Sequence, residues 1–317
     1  MYTSIPAFGN AVWHKKTPPQ SARSLLQRTH RAILSGIRRL PARREAAFRI
    51  YNRALRSIRP QYTGTTFFGA KVNCSLDDLI QSYIFHFSVW EPEISNLIVQ
   101  NLAPGDVFID VGANIGYDSL LGSWRVGPSG KVVAIEASPK AFGQLQANIE
   151  LNAFAAKNVR AVQVAASDRQ GVLELYDLFA GNMGAATTIA GRGGTRIASV
   201  EAKPLVDILT PDEINTVRLI KIDVEGAEPA IMDNILESLS RFPKTMDLLV
   251  EMSPGERPQR IFDRMKAEGF YAYRVRNDYS RERYISAGPI AAIVPTDKLP
   301  DVQCDVFYTR RCLHPAA

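Results

Sequence analysis

The chain has 317 residues, 46% of them hydrophobic and 22% charged, the proportions of a globular protein of one or two domains with a sizeable core. Its net charge of +6 is unevenly placed: residues 1–60 hold 13 of the 38 Lys/Arg and one acid, Glu45, giving +12, while the other 257 residues come to −6. An acidic body behind a basic arm argues against nucleic acid as a partner, and the lack of any run of 18 apolar residues excludes a membrane-spanning helix.

In chain order, residues 1–20 contain Pro6, His14, Lys15, Lys16, Pro18 and Pro19 and no apolar core, so they read as disordered and not as a secretory signal. Eleven arginines between Arg23 and Arg59 are interleaved with Leu26, Ile33, Ile37 and Leu40 at near-helical spacing. This predicts one or two basic amphipathic helices broken at Pro41. Residues 1–60 are therefore expected to form an N-terminal arm, set apart from a body at 61–317. The arm suits adhesion of residues 21–59 to an anionic membrane surface, a solvated helical extension, or an organellar address. Cys74, Cys304 and Cys312 are odd in number and lack metal-ligand spacing, which points to a reduced, cytoplasmic setting, with peripheral contact at the inner face of the membrane through the arm.

Tyr83–Trp90 is strongly aromatic and precedes Glu91-Pro92-Glu93, a helix start signal. His86 within it could act as a base, although a lone histidine among aromatics more commonly packs in a core. Val107–Val111 then reads as a strand buried on both faces, with Asp110 near its carboxyl end. Gly112, Asn114 and Gly116 follow at a spacing of two and form a turn in which backbone can approach a small ligand. The dinucleotide fingerprint G-x-G-x-x-G is broken at Asn114 and Tyr117, which disfavours a nicotinamide enzyme. The pattern fits the nucleoside-binding turn D-x-G-x-G-x-G with Asn114 in the middle position. Lys131–Ile135 is a second strand, and Glu136 at its tip is placed to accept ribose hydroxyls.

Beyond these come a helix over 141–152, a third strand over 159–164 leading to Ala165–Asp168, a separate strand over 171–176 and a glycine-rich loop from Gly181 to Gly194. That loop reads as a ligand-facing or mobile segment, or as an insertion without a role. Further strands are expected at 218–222, 247–250, 271–275 and 305–310, with helices at 230–239 and 261–269. The alternation specifies a doubly wound α/β sheet, and the missing full helix between the last two strands suits an antiparallel finishing pair.

Phe108–Gly116 together with Lys221-Ile-Asp-Val-Glu-Gly-Ala-Glu228 resembles the FkbM family of S-adenosylmethionine-dependent methyltransferases. Trp90-Glu91-Pro92, Ala166-Ser167-Asp168, Val206-Asp207-Ile208 and Leu249-Val250-Glu251 add to the resemblance, which spans about residues 83–310 and leaves out the arm. It implies a class I, Rossmann-like fold with a seven-stranded sheet and S-adenosylmethionine as cofactor. It further implies that Asp110, Gly112, Asn114 and Gly116 flank the methionine part, Glu136 the ribose, and Ser167 or Asp168 the adenine edge. Asp223 and Glu225 then face the reactive methyl, with one of them as base and Lys221 tuning it. The substrate class implied is a hydroxyl of a carbohydrate, polysaccharide or glycolipid. A small secondary metabolite as acceptor, or a non-catalytic nucleoside-binding protein, are the alternatives. Asp223 and Glu251 could share a divalent ion, but single carboxylates on separate strand ends are a loose pattern, and no metal is expected.

Overall fold

The structure, a computed structural model, describes residues 25–40, 43–59, 61–153, 156–177, 186–189, 194–287 and 290–313. The expectation for residues 1–20 lies outside them, as does most of the Gly181–Gly194 loop. Chain contacts divide the molecule into two compact units: one is Glu93–Asn277 with Ala291 onward, the other the described residues up to Pro92 with Asp278–Ile290.

The chain begins with α1 (Leu25–Arg38), α2 (Arg44–Ile58), the antiparallel pair β1 (Gln61–Thr65) and β2 (Lys71–Ser75), and α3 (Leu79–Phe87), whose first turn is capped by the Asp78 carboxylate. Next come α4 (Pro92–Asn101), β3 (Val107–Val111), α5 (Tyr117–Val126), β4 (Lys131–Glu136), α6 (Pro139–Leu151) and β5 (Val159–Gln163). Ser138 caps α6 and Pro139 opens it, where a missing N–H costs nothing. Then follow β6 (Ala165–Ser167), β7 (Gly171–Asp177), β8 (Ala186–Thr187) and β9 (Thr195–Pro204), with α7 (Leu205–Ile208), α8 (Pro211–Thr216) and β10 (Val217–Ile222). The chain finishes with α9 (Glu228–Glu237), β11 (Asp247–Met252), α10 (Glu256–Ala267), β12 (Tyr271–Val275), α11 (Arg281–Ser286), β13 (Val294–Pro295) and β14 (Cys304–Thr309).

In the first unit the main sheet runs β13-β12-β14-β11-β10-β3-β4-β5. Strands β11, β10, β3, β4 and β5 are parallel, and β14 inserts antiparallel between β11 and β12. This is the class I methyltransferase sheet expected from the sequence, with the two-residue β13 added at its edge as an eighth strand. The order reverses between β3 and β10, the place where open α/β sheets bind ligands beyond their strand ends. Every residue of β3 is buried, so its carboxyl end presents Asp110 from a rigid core strand. A second sheet, β6-β9-β7-β8, adjoins in the same unit. Its ten-residue β9 was not among the expected strands.

The other unit places the arginine-rich helices inside a fold. Leu34 and Ile37 of α1 and Phe48 of α2 form one cluster with Ile285 of α11. Ion pairs Arg44–Glu282 and Arg281–Glu45 join the same elements, and Arg38 donates to the Ile285 carbonyl. The boundary drawn from charge at residue 60 therefore does not coincide with the units, which divide at Pro92 and Glu93. Charge reports the solvent side of α1 and α2, whereas their buried side decides which unit they join. His86 is buried here beside Phe48 and Phe85, with Nε2 2.7 Å from the Asn52 side-chain oxygen, in the manner of a core residue. The Trp90-Glu91-Pro92 segment is also fixed by its own contacts. Glu91, at φ +41°, is held by the Tyr279 hydroxyl (2.6 Å) and donates its N–H to the Tyr284 hydroxyl (3.0 Å).

Candidate active site

The turn after β3 is built from backbone. The N–H groups of Gly112 and Ala113 both donate to the Ile135 carbonyl of β4, and Gly112 (φ +85°), Asn114 (φ +49°) and Gly116 (φ +89°) lie in left-handed conformations. A Cβ on Gly116 would have to displace the Leu145 Cδ1 methyl, 2.5 Å away, and would be strained at φ +89°, so glycine suits the start of α5. Glu136 clamps the same turn: one carboxylate oxygen accepts from the Asn114 N–H at 2.7 Å and the other from the Ser138 N–H at 2.7 Å. Burial raises its carboxyl pKa, and the backbone hydrogen bonds pull the other way. Its remaining lone pairs stay available to hydroxyl donors.

Two oxygens in this turn, Asp110 Oδ1 and Asn114 Oδ1, are buried without a hydrogen-bond partner. The other Asp110 oxygen accepts from Ser119 at 2.5 Å. Buried polar atoms of this kind demand a partner, and a ligand ammonium or hydroxyl would supply donors to both. Burial pushes the Asp110 carboxyl up to about 7; Lys221 opposes the shift, and Asp118 and Asp223 add to it.

Beside the turn, β10 carries Lys221 opposite Asp110 in the strand register, so their side chains leave the same face of the sheet. The buried Lys221 ammonium lies 3.0 Å from Asp223 and 3.3 Å from Asp118 on the first turn of α5. One cation thus balances acids from two elements. Asp118 is itself buried and its pKa is raised, chiefly by burial. Asp223 stands at the exit of β10, its side chain 30% exposed, and its N–H donates to the Val111 carbonyl. Of the candidates read from the sequence, Lys221, Asp223 and Asp110 are brought together here.

Glu225 is placed differently. It occupies a left-handed turn position (φ +58°), and its carbonyl accepts from the buried Thr187 hydroxyl at 2.8 Å. Thr187 is one of the few described residues of the glycine-rich loop, so part of that loop is tied to the β10 exit. The acids that converge on Asp223 are Glu228 and Glu251, whose ligand oxygens all lie within 4.8 Å of one another. Three carboxylates at that spacing could hold one divalent ion. Glu228 also secures backbone, since one of its oxygens accepts from the Val224 and Gly226 N–H groups and fixes the turn.

A fourth acid, Asp305 of β14, is the register partner of Glu251 on β11 and accepts from Asn277 at 2.6 Å. Like charges directly opposite on adjacent strands repel. Burial first, and then the neighbouring Asp223, Glu228 and Asp305, push Glu251 up to about 9. Burial and Asp223 bring Asp305 to about 7. Ser167 ends β6, buried, with its hydroxyl on Asp168 at 3.2 Å, while Asp168 is exposed.

Asp118, Glu228 and Asp305 are the members that sequence reasoning did not assign. Glu228 had a signal: it lies within the Lys221–Glu228 motif and starts a helix before Pro229, where a carboxylate can reach back to free N–H groups. Asp305 could be found only through the register of an antiparallel pair. Asp118, a polar residue in the first turn of a helix, has no distinguishing local pattern.

A family model described as the methyltransferase FkbM domain matches residues 110–271. The chain is 28% identical over 214 residues to Methyltransferase sdnD of Sordaria araneosa, covering 59% of this chain and 82% of that protein. Among solved structures it is similar to methyltransferase FkbM from Methylobacillus flagellatus KT, with 12% identity and a TM-score of 0.42, covering 68% of this chain and 50% of that one. It is also similar to an S-adenosylmethionine-dependent O-methyltransferase from Thermotoga maritima, with 15% identity, a TM-score of 0.40, and coverage of 81% and 80%.

Proposed function

Taking as premise that this chain belongs to the FkbM family of S-adenosylmethionine-dependent methyltransferases, we propose that it methylates a hydroxyl group of a carbohydrate, polysaccharide or glycolipid. The observation that carries the reading is the chemistry gathered at the ends of β10, β11 and β14. Asp223 and Glu251 offer carboxyl oxygens within 4.8 Å of one another, and Asp305 is the register partner of Glu251. Such a set offers hydrogen bonds to several hydroxyls of one polyol.

S-adenosylmethionine, when bound, supplies an electrophilic methyl on a cationic sulfonium. The turn fits it: Asp110 Oδ1 and Asn114 Oδ1 are buried acceptors awaiting donors, and Glu136 keeps lone pairs free for the ribose. In this reading Gly112 and Gly116 keep the cradle open, and Ser167 and Asp168 border the adenine.

Asp223 is the base. Its side chain is 30% exposed and is the one of the cluster paired with the Lys221 ammonium, and it takes the acceptor hydroxyl's proton as the oxygen attacks. Lys221 holds that carboxylate in place, and Asp118 shares the ammonium charge, so the lysine does not neutralise Asp223 alone. Glu225 holds a left-handed turn position with its carbonyl on Thr187, whereas Asp223 is the acid paired with Lys221, and the base role is assigned to Asp223. A small metabolite bearing a hydroxyl would use the same base, and the acceptor separates the two readings.

The test is transfer of labelled methyl from S-adenosylmethionine to a panel of sugars, polysaccharides, glycolipids and small hydroxylated metabolites. An O-methyl signal in the product spectrum of a saccharide-bearing acceptor is the expected result. Methyl transfer confined to small non-saccharide metabolites, or to nitrogen, overturns it.

A further inference from the structure

Helix α2 is amphipathic towards the protein in the ordinary way: Phe48 and Leu55 lie on one side and are buried. The rest of its circumference does not follow the usual pattern of a solvated face. Ala46, Ile50, Ala54 and Ile58 succeed one another at four-residue intervals, so each is turned only about 40° from the last and they form one stripe. All four are exposed, Ile50 by 72% and Ile58 by 79%. Single exposed apolar residues are unremarkable, whereas a stripe of them on one face calls for a covering partner.

Charge indicates what covers it. Arg53 borders the stripe, Arg49 lies about 40° further round, and Arg43 precedes the helix as its N-cap residue; all three are exposed. Arg44 and Arg56 are used internally, on Glu282 and Asp77. Among the described residues no ion pair engages Arg43, Arg49 or Arg53. The helix's single acid, Glu45, lies one turn before Arg49 and pairs with Arg281. The stripe and its border therefore combine apolar side chains with exposed guanidinium groups, the one neighbouring carboxylate, Glu45, being engaged by Arg281, a composition that suits a helix lying in the plane of an anionic lipid interface.

We propose that this outward face of α2 seats the protein on an anionic membrane surface, with Ile50 and Ile58 entering the headgroup boundary and Arg43, Arg49 and Arg53 pairing with lipid phosphates. The proposal is independent of which acceptor is methylated. It also differs from adhesion by a detachable arm: deleting α1 and α2 would remove Leu34, Ile37 and Phe48 from a core, so the face has to be tested by surface substitutions.

The full chain is sedimented with vesicles of phosphatidylcholine alone and with vesicles rich in phosphatidylglycerol, at about 0.1 M and about 1 M salt, between which the screening length falls from about 10 to about 3 Å. The intact protein is expected to sediment with the anionic vesicles only, and at the lower salt. Arg49→Gln/Arg53→Gln should weaken partitioning about 25-fold, about fivefold per charge. Ile50→Ser/Ile58→Ser should weaken it by about tenfold or more. Melting temperature, monomer mass and methylation of a soluble acceptor should stay unchanged in both. Failure of the intact chain to bind, equal binding to neutral vesicles, or unchanged partitioning of the variants overturns the proposal. So does a fall in melting temperature or in oligomer mass on Ile50→Ser/Ile58→Ser, which would give the face to residues 1–24 of the same chain or to a second copy.

Discussion

A methyl group placed on Gly112 would sit 1.7 Å from the carbonyl oxygen of Asp223. The Gly112 turn and the turn that bears Asp223 are thus in backbone contact, and the Asp223 N–H bonded to the Val111 carbonyl fastens them from the other side. Binding and chemistry share one rigid corner at the reversal point of the sheet.

That contact makes Gly112 intolerant even of alanine. Gly112→Ala must move backbone, since no flexible side chain is there to yield, and its φ of +85° adds strain. We expect Gly112→Ala to bind S-adenosylmethionine at least a hundredfold more weakly by calorimetry and to lose about 2–4 kcal/mol in urea unfolding. Unaltered cofactor affinity would show that the turn can relax in a way this geometry forbids.

Lys221 is the only cation placed by ion pairs between Asp118 and Asp223 among the described residues. Lys221→Met leaves the buried Asp118 without its counter-charge and should cost about 3–5 kcal/mol in denaturant unfolding. Adding Asp118→Leu should restore much of that loss, because an apolar pair replaces an unpaired charge. Strictly additive losses in the double variant would mean the two residues do not form a working pair.

Glu251, pushed up to about 9, and Asp305, near 7, retain protons that ordinary carboxyls release near pH 4. A cationic sulfonium bound beside them favours their ionised forms, so the pKa values fall and protons leave. At pH 7.5, calorimetry in buffers of different ionisation enthalpy should report net proton release on S-adenosylmethionine binding, reduced in Glu251→Gln. Without ligand the sign for stability is the opposite of the usual acid: Glu251 contributes fully below about pH 4.5 and loses its contribution as pH rises through about 9. Proton uptake on binding would contradict this picture.

The unit that holds α1, α2 and α3 should be the acid-labile part. His30 and His86 lie with ring centroids 5.2 Å apart, and burial lowers them to about 4 and about 3; His86 is lowered further by His30, and Arg31 adds to the depression of His30. The Asn52 side-chain oxygen accepts from His86 Nε2 and the Tyr51 hydroxyl bonds His30 Nδ1, and neither partner carries a compensating charge. Both histidines must stay neutral, so stability is complete above about pH 6.5 and is lost as pH falls towards 4 and 3. Hydrogen exchange, corrected for intrinsic rates, should show residues 44–58 and 79–87 opening before the β3–β4–β10 core between pH 6 and 4. Simultaneous opening of both would refute it.

Much of this site was legible in the sequence because its parts lie at strand ends. A run such as Val107–Val111, broken only by Asp110, marks a core strand whatever surrounds it, and the glycines after it report backbone that must come close to something. Lys221 and Asp223 were visible for the same reason. The two-residue β13 and the ten-residue β9 were less so. In Thr195–Pro204 only Val200 and Ala202 are buried, so its alternation is short and its first half faces solvent. The helices of residues 25–58 were foreseen, but their place was not. The pairing of Phe48 with Ile285 spans more than two hundred residues, and local pattern carries no record of it. Likewise Glu251 meets Asp305 through an antiparallel register that periodicity alone leaves undetermined.

Asp223 as the base for a hydroxyl acceptor is the central claim, and Asp223→Asn tests it directly. The substitution keeps the shape of the side chain and removes its capacity to take a proton. With cofactor and acceptor saturating, the rate of methyl transfer should fall about 10²–10⁴-fold, while the calorimetric Kd for S-adenosylmethionine changes by less than about threefold. A variant that transfers methyl at the normal rate, or whose loss is explained entirely by failure to bind the cofactor, would contradict that role for Asp223.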